Sequence, residues 1–279
     1  MPELPEVEIT RRHLNEAMGG HAFTAVTVSH ARTARHNGDP IEVEQRLVGR
    51  RVESVGRKGK FLVVPLDDGQ TMVAHLGMSG RFAVESEDAP LAAHTHFRGL
   101  LDDGTEIRFV DPRTFGFVAV FTEEELETSG VARLGPDAWL DLPTTEELST
   151  ALSRRTAPIK ALLLDQGPIS GLGNIYADEA LHIARIHPLR PGNSLSSEDL
   201  ERLRGAVGQV LEMAIENGGT SLDDLAYLLP DGSAGENLDR LLVYGRADLP
   251  CGNCGTPIER IVIRARSSHF CPQCQPIAP

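Results

Sequence analysis

Four cysteines close the 279-residue chain: Cys251 and Cys254, then sixteen residues, then Cys271 and Cys274. C-x2-C-x16-C-x2-C is the spacing in which two knuckles present four thiolates tetrahedrally to Zn2+. With sulfur at all four positions there is no place for water or substrate, so the metal is structural, one ion per chain. Two redox CxxC pairs or a bridge are the alternatives, and a thioredoxin-like pair wants a βαβ setting that is missing around these cysteines. Between the knuckles "IERIVIRARSSHF" alternates like a hairpin and carries Arg260, Arg264 and Arg266. Such a ribbon serves to hold a hairpin that can enter a groove.

Four other stretches bear chemistry. "SGLGNIYADEAL" (170–181) sets a glycine-rich turn ahead of a helical pattern, and free backbone N–H groups at a helix start bind phosphate; the plainer reading is a turn that connects two helices. "DPRTFG" (111–116) puts Arg113 and Phe115 two residues apart after a strand, either projecting from a turn to enter a base stack or closing a hairpin over a buried Phe. "HLGMSG" (75–80) sets Met78 between glycines, a position that more often plugs a core. "MPELPEVE" opens the chain with two prolines and three carboxylates, and Pro5 and Glu6 are good residues for a helix start.

The elements that position these groups fall into two blocks. Leu4, Val7, Leu14 and Met18 lie near helical spacing and Gly19–Gly20 follows, which predicts one opening helix ended by glycine. Residues 23–29, 61–66, 71–76, 105–110 and 116–121 are rich in β-branched and aromatic residues, with "DDGQ" and "DDGT" as turns, which predicts a sandwich or barrel. After Phe121 the pattern turns helical. "TEEELETSG" and "TTEELSTALSR" follow, the second with Thr144 and Glu147 spaced as a capping box. A long helix is predicted from Ser196 to Asn217, with Leu200, Leu203, Val207, Val210, Leu211 and Ala214 in one stripe.

Composition sets the outer bounds. With 41% hydrophobic and 24% charged residues the chain reads as a soluble globular protein, long enough for two domains. No apolar run approaches the roughly 20 residues that span a bilayer, and the N-terminus lacks a signal peptide's basic start and apolar stretch, so a cytoplasmic location is expected. The net charge of −13 argues against a polyanionic partner, but it is segregated. Residues 1–121 carry 14 basic and 17 acidic groups, 122–239 carry 8 and 21, and 240–279 carry 5 and 2. "RLVGRRVESVGRKGK" (46–60) holds six cations against Glu53 alone, a basic track or a solvated face.

Taken together and in order, "MPELPEVE", "HLGMSG", "DPRTFG", "SGLGNIYADEAL", "VYGR" and the terminal cysteines resemble the bacterial formamidopyrimidine-DNA glycosylases over nearly the whole length. The resemblance implies an α+β protein of two domains, an N-terminal β-sandwich with flanking helices and a C-terminal helix-two-turn-helix region with a β-hairpin zinc ribbon, with DNA in the cleft between them. It places the catalytic sandwich at 1–121, a linker at 122–135, the helical DNA-binding region at 136–239 and the zinc finger at 240–279. It implies a monomer that acts on damaged double-stranded DNA in the cytoplasm, associated with the nucleoid. The activity implied is excision of 8-oxoguanine and formamidopyrimidines followed by cutting of the abasic strand. An endonuclease VIII-like enzyme for oxidised pyrimidines and a zinc-ribbon DNA-binding protein without chemistry are the competing readings; the former group usually starts "MPEGPE" and lacks the Met78, Arg113 and Phe115 set.

Residue roles carry over from the same resemblance. If Met1 is removed, which the small Pro2 favours, the terminal secondary amine attacks the sugar C1′ and gives an iminium. Such an amine acts only when neutral, so its site must lower its pKa or take its proton. Glu3 is implied as the proton shuttle. Lys60 and Arg266 stand with Pro2 and Glu3 in the implied catalytic set, Lys60 contacting phosphate beside the amine and Arg266 clamping the flanking backbone with Asn174. Met78, Arg113 and Phe115 are implied to fill the gap left by the flipped nucleotide, which recovers part of the lost stacking, and His94 joins the DNA-contacting set. Two positions depart from the family pattern: Glu236 and Asn237 stand where Tyr-Phe is common in the lesion-covering loop, and Thr114 stands where a second cation often sits.

Overall fold

Helix α1 (Leu4–Met18) begins with Pro5 inside its first turn, where a missing N–H costs nothing. Leu4, Val7, Leu14 and Met18 are all buried, and Gly20 takes the left-handed conformation (φ +83°) that turns the chain away. The computed structural model describes residues 2–222 and 227–277. Its backbone sorts into two units, Met1–Arg133 with Asn217–Leu238, and Leu134–Glu216 with Asp239–Pro279. The helical region expected to run through 239 is therefore interrupted, because 217–238 returns to the first unit.

In the first unit α1 is followed by β1 (Phe23–Val28), α2 (Pro40–Leu47), β2 (Gly56–Lys58), β3 (Phe61–Pro65), β4 (Thr71–His75), β5 (Arg81–Ser86), β6 (Thr95–Leu101), β7 (Thr105–Val110), β8 (Phe117–Phe121) and α3 (Glu123–Thr128). Two four-stranded antiparallel sheets form, in the orders β1-β6-β7-β5 and β2-β3-β4-β8. Phe82, Phe97, Ile107 and Phe109 from one sheet and Leu62, Val64, Met72, Val118 and Val120 from the other share one buried core, so the sheets are the two layers of a sandwich. Along β3 burial alternates, Leu62 and Val64 inward. On the other face of that sheet Val73, Ala119, Phe117 and Phe121 pack with Val131 and Leu126, which explains why β8 is buried on both faces.

The second unit holds α4 (Thr145–Leu152), α5 (Ile159–Leu164), α6 (Asn174–Ile183), α7 (Ser197–Glu216) and the hairpin β9 (Glu259–Ile263) with β10 (Arg266–Phe270). Thr144 caps α4 as expected: its side chain accepts the Glu147 N–H while Glu147 reaches back to the Thr144 N–H. The α7 stripe from Leu200 to Ala214 is buried throughout, each large side chain contributing roughly 1.5–3 kcal/mol relative to exposure. Arg264 and Ala265 both take positive φ (46° and 62°) in the two-residue turn that joins β9 to β10, the primed geometry that matches strand twist.

Candidate active site and nucleic-acid interface

Pro2 is buried, and Glu3 follows as the N-cap of α1 with only 1% of its surface exposed. The Glu3 carboxylate accepts the N–H of Glu6, and Glu6 Oε2 accepts the Glu3 N–H at 2.7 Å. Glu6 Oε1 meanwhile accepts the Thr220 N–H at 2.9 Å, which ties the returning segment to the start of the helix. Met1, whose removal the sequence reading requires, lies outside the described residues.

One turn along α1, Glu8 is 3.0 Å from Arg57, whose other end donates to Gly59 O at 3.0 Å. Gly59 has positive φ, so this bond fixes the turn that delivers Lys60, itself buried to 9% exposure. Burial would raise the Glu8 carboxyl, but hydrogen bonds from Arg11, Arg57 and Arg12 outweigh it and hold the group below the usual carboxylate range.

Met78, Arg113 and Phe115, the residues expected to fill the stack, stand on two loops that share one anchor. Buried Asp111 accepts from Ser79 Oγ at 2.7 Å, from Gly116 N–H at 2.7 Å and from Arg113 N–H at 3.3 Å. Ser79 belongs to the Met78 loop and Gly116 to the Arg113 loop, so a single carboxylate joins them. Their backbones touch: a Cβ on Gly77 (φ +66°) would lie 2.4 Å from Gly116 N. Phe115 projects with 41% of its surface exposed, and the Arg113 guanidinium lies 5.0 Å from its ring centroid. The projecting alternative is therefore the one found. Met78 is half-buried, and His94 is exposed at positive φ (64°), its carbonyl taking the Asp111 N–H. Next to this pair His75 is pushed down to about 4 by burial and by nearby Lys60, Arg35 and His36, and its Nδ1 accepts the Gly77 N–H.

In the second unit Asn174 is the first residue of α6, and its Nδ2 donates to Ser267 Oγ at 3.3 Å. Beneath it Lys160, fully buried, donates to Asn174 O at 2.8 Å and to Asp178 at 2.5 Å. Asp178 also accepts from Ser268 Oγ and the His269 N–H on β10, so one buried ion pair holds both the turn carrying Asn174 and the hairpin carrying Arg266. Arg266, Arg264 and Arg260 are exposed. The cations of 46–60 differ: Arg46, Arg50, Arg51 and Arg57 all face carboxylates within 4.0 Å.

The four cysteine sulfurs lie within 4.8 Å of one another, with separations of 3.9 Å (Cys251–Cys274), 3.5 Å (Cys254–Cys271) and 3.6 Å (Cys254–Cys274). A tetrahedron with Zn–S of about 2.3 Å has edges of about 3.8 Å, so the set fits one zinc ion. The Cys274 N–H points to Cys271 Sγ at 3.4 Å, as a knuckle requires.

Comparison with known proteins gives the same picture over the whole chain. Family profiles match residues 1–118 as the formamidopyrimidine-DNA glycosylase N-terminal domain, 134–225 as its H2TH domain and 248–277 as the zinc finger found in FPG and IleRS. The formamidopyrimidine-DNA glycosylase of Salinispora arenicola is 44% identical over 99% of this chain and 96% of its own, and that of Herpetosiphon aurantiacus 42% over 99% and 100%. The chain belongs to the formamidopyrimidine-DNA glycosylase family. Among solved structures, the MutM protein of Thermus thermophilus superposes with a TM-score of 0.87 at 41% identity over all of both chains. A Lactococcus lactis FPG mutant in complex with a Fapy-dG-containing DNA does so with 0.90 at 30% identity, covering 99% of this chain and 100% of its own.

For a formamidopyrimidine-DNA glycosylase, the sequence reading named the groups that project and missed those that hold them. Asp111, Lys160 and Asp178 have no role in it and Arg57 only a place in the basic run, and Glu179, whose carboxylate accepts the N–H groups of Leu242, Val243 and Tyr244 in the "VYGR" turn, has none either. Burial raises the Glu179 carboxyl, against the pull of those three bonds. The one available signal was an acidic residue inside an otherwise apolar stretch, as in "NIYADEALHI".

Proposed function

We propose that the chain excises oxidised purines, 8-oxoguanine and formamidopyrimidines, from double-stranded DNA and then cuts the strand, working as a monomer in the cytoplasm on the nucleoid. The Fapy-dG, abasic and 8-oxoG DNA in the solved complexes of its relatives supports that substrate class. The observation that carries the chemistry is the buried Glu3 carboxylate beside buried Pro2 at the tip of α1. Once Met1 is gone, the Pro2 nitrogen attacks C1′; the glycosidic bond breaks and the base leaves with a proton. The nitrogen lone pair then makes the iminium, and Glu3 moves the proton as the sugar ring opens. Loss of a C2′ proton expels the 3′ phosphate, a second elimination expels the 5′ phosphate, and water releases the sugar remnant. Lys60, Asn174 and Arg266 hold backbone phosphates; Met78, Arg113 and Phe115 fill the vacated stack, and His94 contacts DNA. Zinc holds the β9–β10 hairpin in shape and takes no part in the reaction.

Borohydride trapping followed by peptide mapping tests this. The expected product is DNA joined to the N-terminal peptide at Pro2 of a chain without Met1, on 8-oxoguanine and formamidopyrimidine duplexes ahead of oxidised pyrimidines. A crosslink at Lys60, or full activity in protein still carrying Met1, would sink the mechanism.

A further inference from the structure

Phe115 projects from its loop, so the direction of its ring is set by the backbone that carries it rather than by the core. The residue before it, Thr114, takes the left-handed conformation (φ +53°), which a β-branched side chain adopts only where the surroundings hold it there. Left alone, such a turn relaxes and takes the ring with it.

The hold comes from two sides of one peptide group. Asp111 Oδ2 accepts the Gly116 N–H at 2.7 Å, and at the other end of the same plane Arg35 Nη2 donates to Phe115 O at 3.0 Å. A carboxylate grips the N–H end and a guanidinium the carbonyl end, each opposite in sign to the end of the peptide dipole that it meets. Arg35 Nη1 adds bonds to Gly116 O at 2.5 Å and to Arg32 O at 2.8 Å. The Arg32 guanidinium in turn lies 5.8 Å from the Phe115 ring centroid, on which Arg113 also bears at 5.0 Å. One fork therefore reaches both the backbone that aims Phe115 and the chain that sets a second cation by its ring.

Arg35 is itself seated. Its guanidinium lies 4.9 Å from the Phe117 ring centroid, and a planar fork resting on an aromatic face loses little further freedom when it bonds. On either side of it in the chain, Thr33 O accepts the Val118 N–H at 2.9 Å, and Asn37 brackets Val120, accepting its N–H at 2.9 Å and donating to its carbonyl at 2.7 Å. The segment that carries Arg35 is thereby fixed along β8.

We propose that Arg35 is a positioning residue for the filling of the vacated stack: by fixing the Phe115–Gly116 peptide it presents the Phe115 ring in its inserting direction before DNA arrives. Ordering done in the free protein is ordering that binding need not supply. This rests on the stack-filling role proposed for Phe115 above.

Because Arg35 acts through Phe115, the two are tested as a double-mutant cycle on kcat/KM for 8-oxoguanine excision from duplex DNA. Arg35→Lys keeps the charge but cannot fork, so excision should fall about tenfold in the wild-type background and change by no more than about twofold in a Phe115→Ala background. Arg35→Gln, which also gives up the charge, should show the same pattern and leave the slope of log K against log salt where it was. No fall in the wild-type background, or an equal fall in both, would overturn the proposal. So would a slope flattened by about one unit in Arg35→Gln, which would make Arg35 a phosphate contact. A Phe115→Ala chain that excises as well as the wild type would overturn the stack-filling reading itself, and that outcome is told apart because no Arg35 variant enters it.

Discussion

Glu3 is asked to do two things, cap a helix and carry a proton, and the two separate under substitution. Glu3→Gln keeps an oxygen that accepts the Glu6 N–H, so α1 should melt as before, whereas base excision should fall by roughly 10² to 10⁴ with the proton carrier gone. Single-turnover excision measured beside thermal unfolding checks this, and equal losses in both would reduce Glu3 to a cap. Asp111 is the opposite case, a group with no proposed chemistry on which the Met78 and Arg113 loops both depend. Asp111→Ala leaves the Ser79 hydroxyl and the Gly116 N–H without their acceptor and the Arg113 N–H with Ser79 Oγ alone, so a loss of about 1–3 kcal/mol in stability should accompany weaker binding to lesion duplex. The residues of "DPRTFG" and "HLGMSG" left two readings open, a projecting turn or a buried plug, and the exposure of Phe115 decides only the first stretch, while Met78 is half-buried. Asp111 was not legible, since Ser79 lies 32 positions away and nothing local marks the pair.

Elements were legible where periodicity was clean. The strands at 105–110 and 71–75 and the stripe of α7 stand as the pattern predicts. β5 and β6 did not show, because "RFAVES" and "THFRGLL" carry charges through the strand, Arg98 being held by Glu106 on the neighbouring β7. α5 is six residues with Ile159 to Leu163 all buried, too short for a period to declare itself. Its Lys160 supplies the sharpest test at this scale. Lys160→Met leaves Asp178 a buried carboxylate that has lost its cation and keeps the bonds from Ser268 and His269, and removing one partner of such a pair costs about 3–5 kcal/mol. Denaturant unfolding should show that loss, and amide exchange should rise in β10. Removing the zinc acts on the same hairpin from its other end: Cys251→Ser or Cys271→Ser should lose the metal and DNA binding while the first unit stays folded, and elemental analysis of fresh wild-type protein should find one zinc per chain.

At the scale of the whole molecule the least legible feature was the return of 217–238, since the bonds that tie it back, Thr220 to Glu6 and Val84 to Pro230, join residues 214 and 146 positions apart. Charge was legible in sum and ambiguous in detail. The basic run at 46–60 was open to two readings, a basic track or a solvated face, and Arg46 is shared between Glu42 and Glu125, Arg50 faces Asp67 and Asp68, and Arg57 is spent on Glu8. A cation already paired with a carboxylate releases little when a phosphate arrives, whereas each phosphate newly neutralised releases about 0.9 of a counterion from duplex DNA. The slope of log K against log salt therefore sorts the cations of a −13 protein into those that touch the backbone and those that do not. Lys60→Ala and Arg266→Ala should each weaken binding to damaged and undamaged duplex alike and flatten that slope by about one unit. Arg50→Ala, matched in charge lost, should leave the slope where it was. Fluorescence anisotropy over a range of potassium chloride concentrations checks all three, and a slope that moves equally for Arg50 and Arg266 would mean that net charge, rather than aimed contacts, sets the affinity.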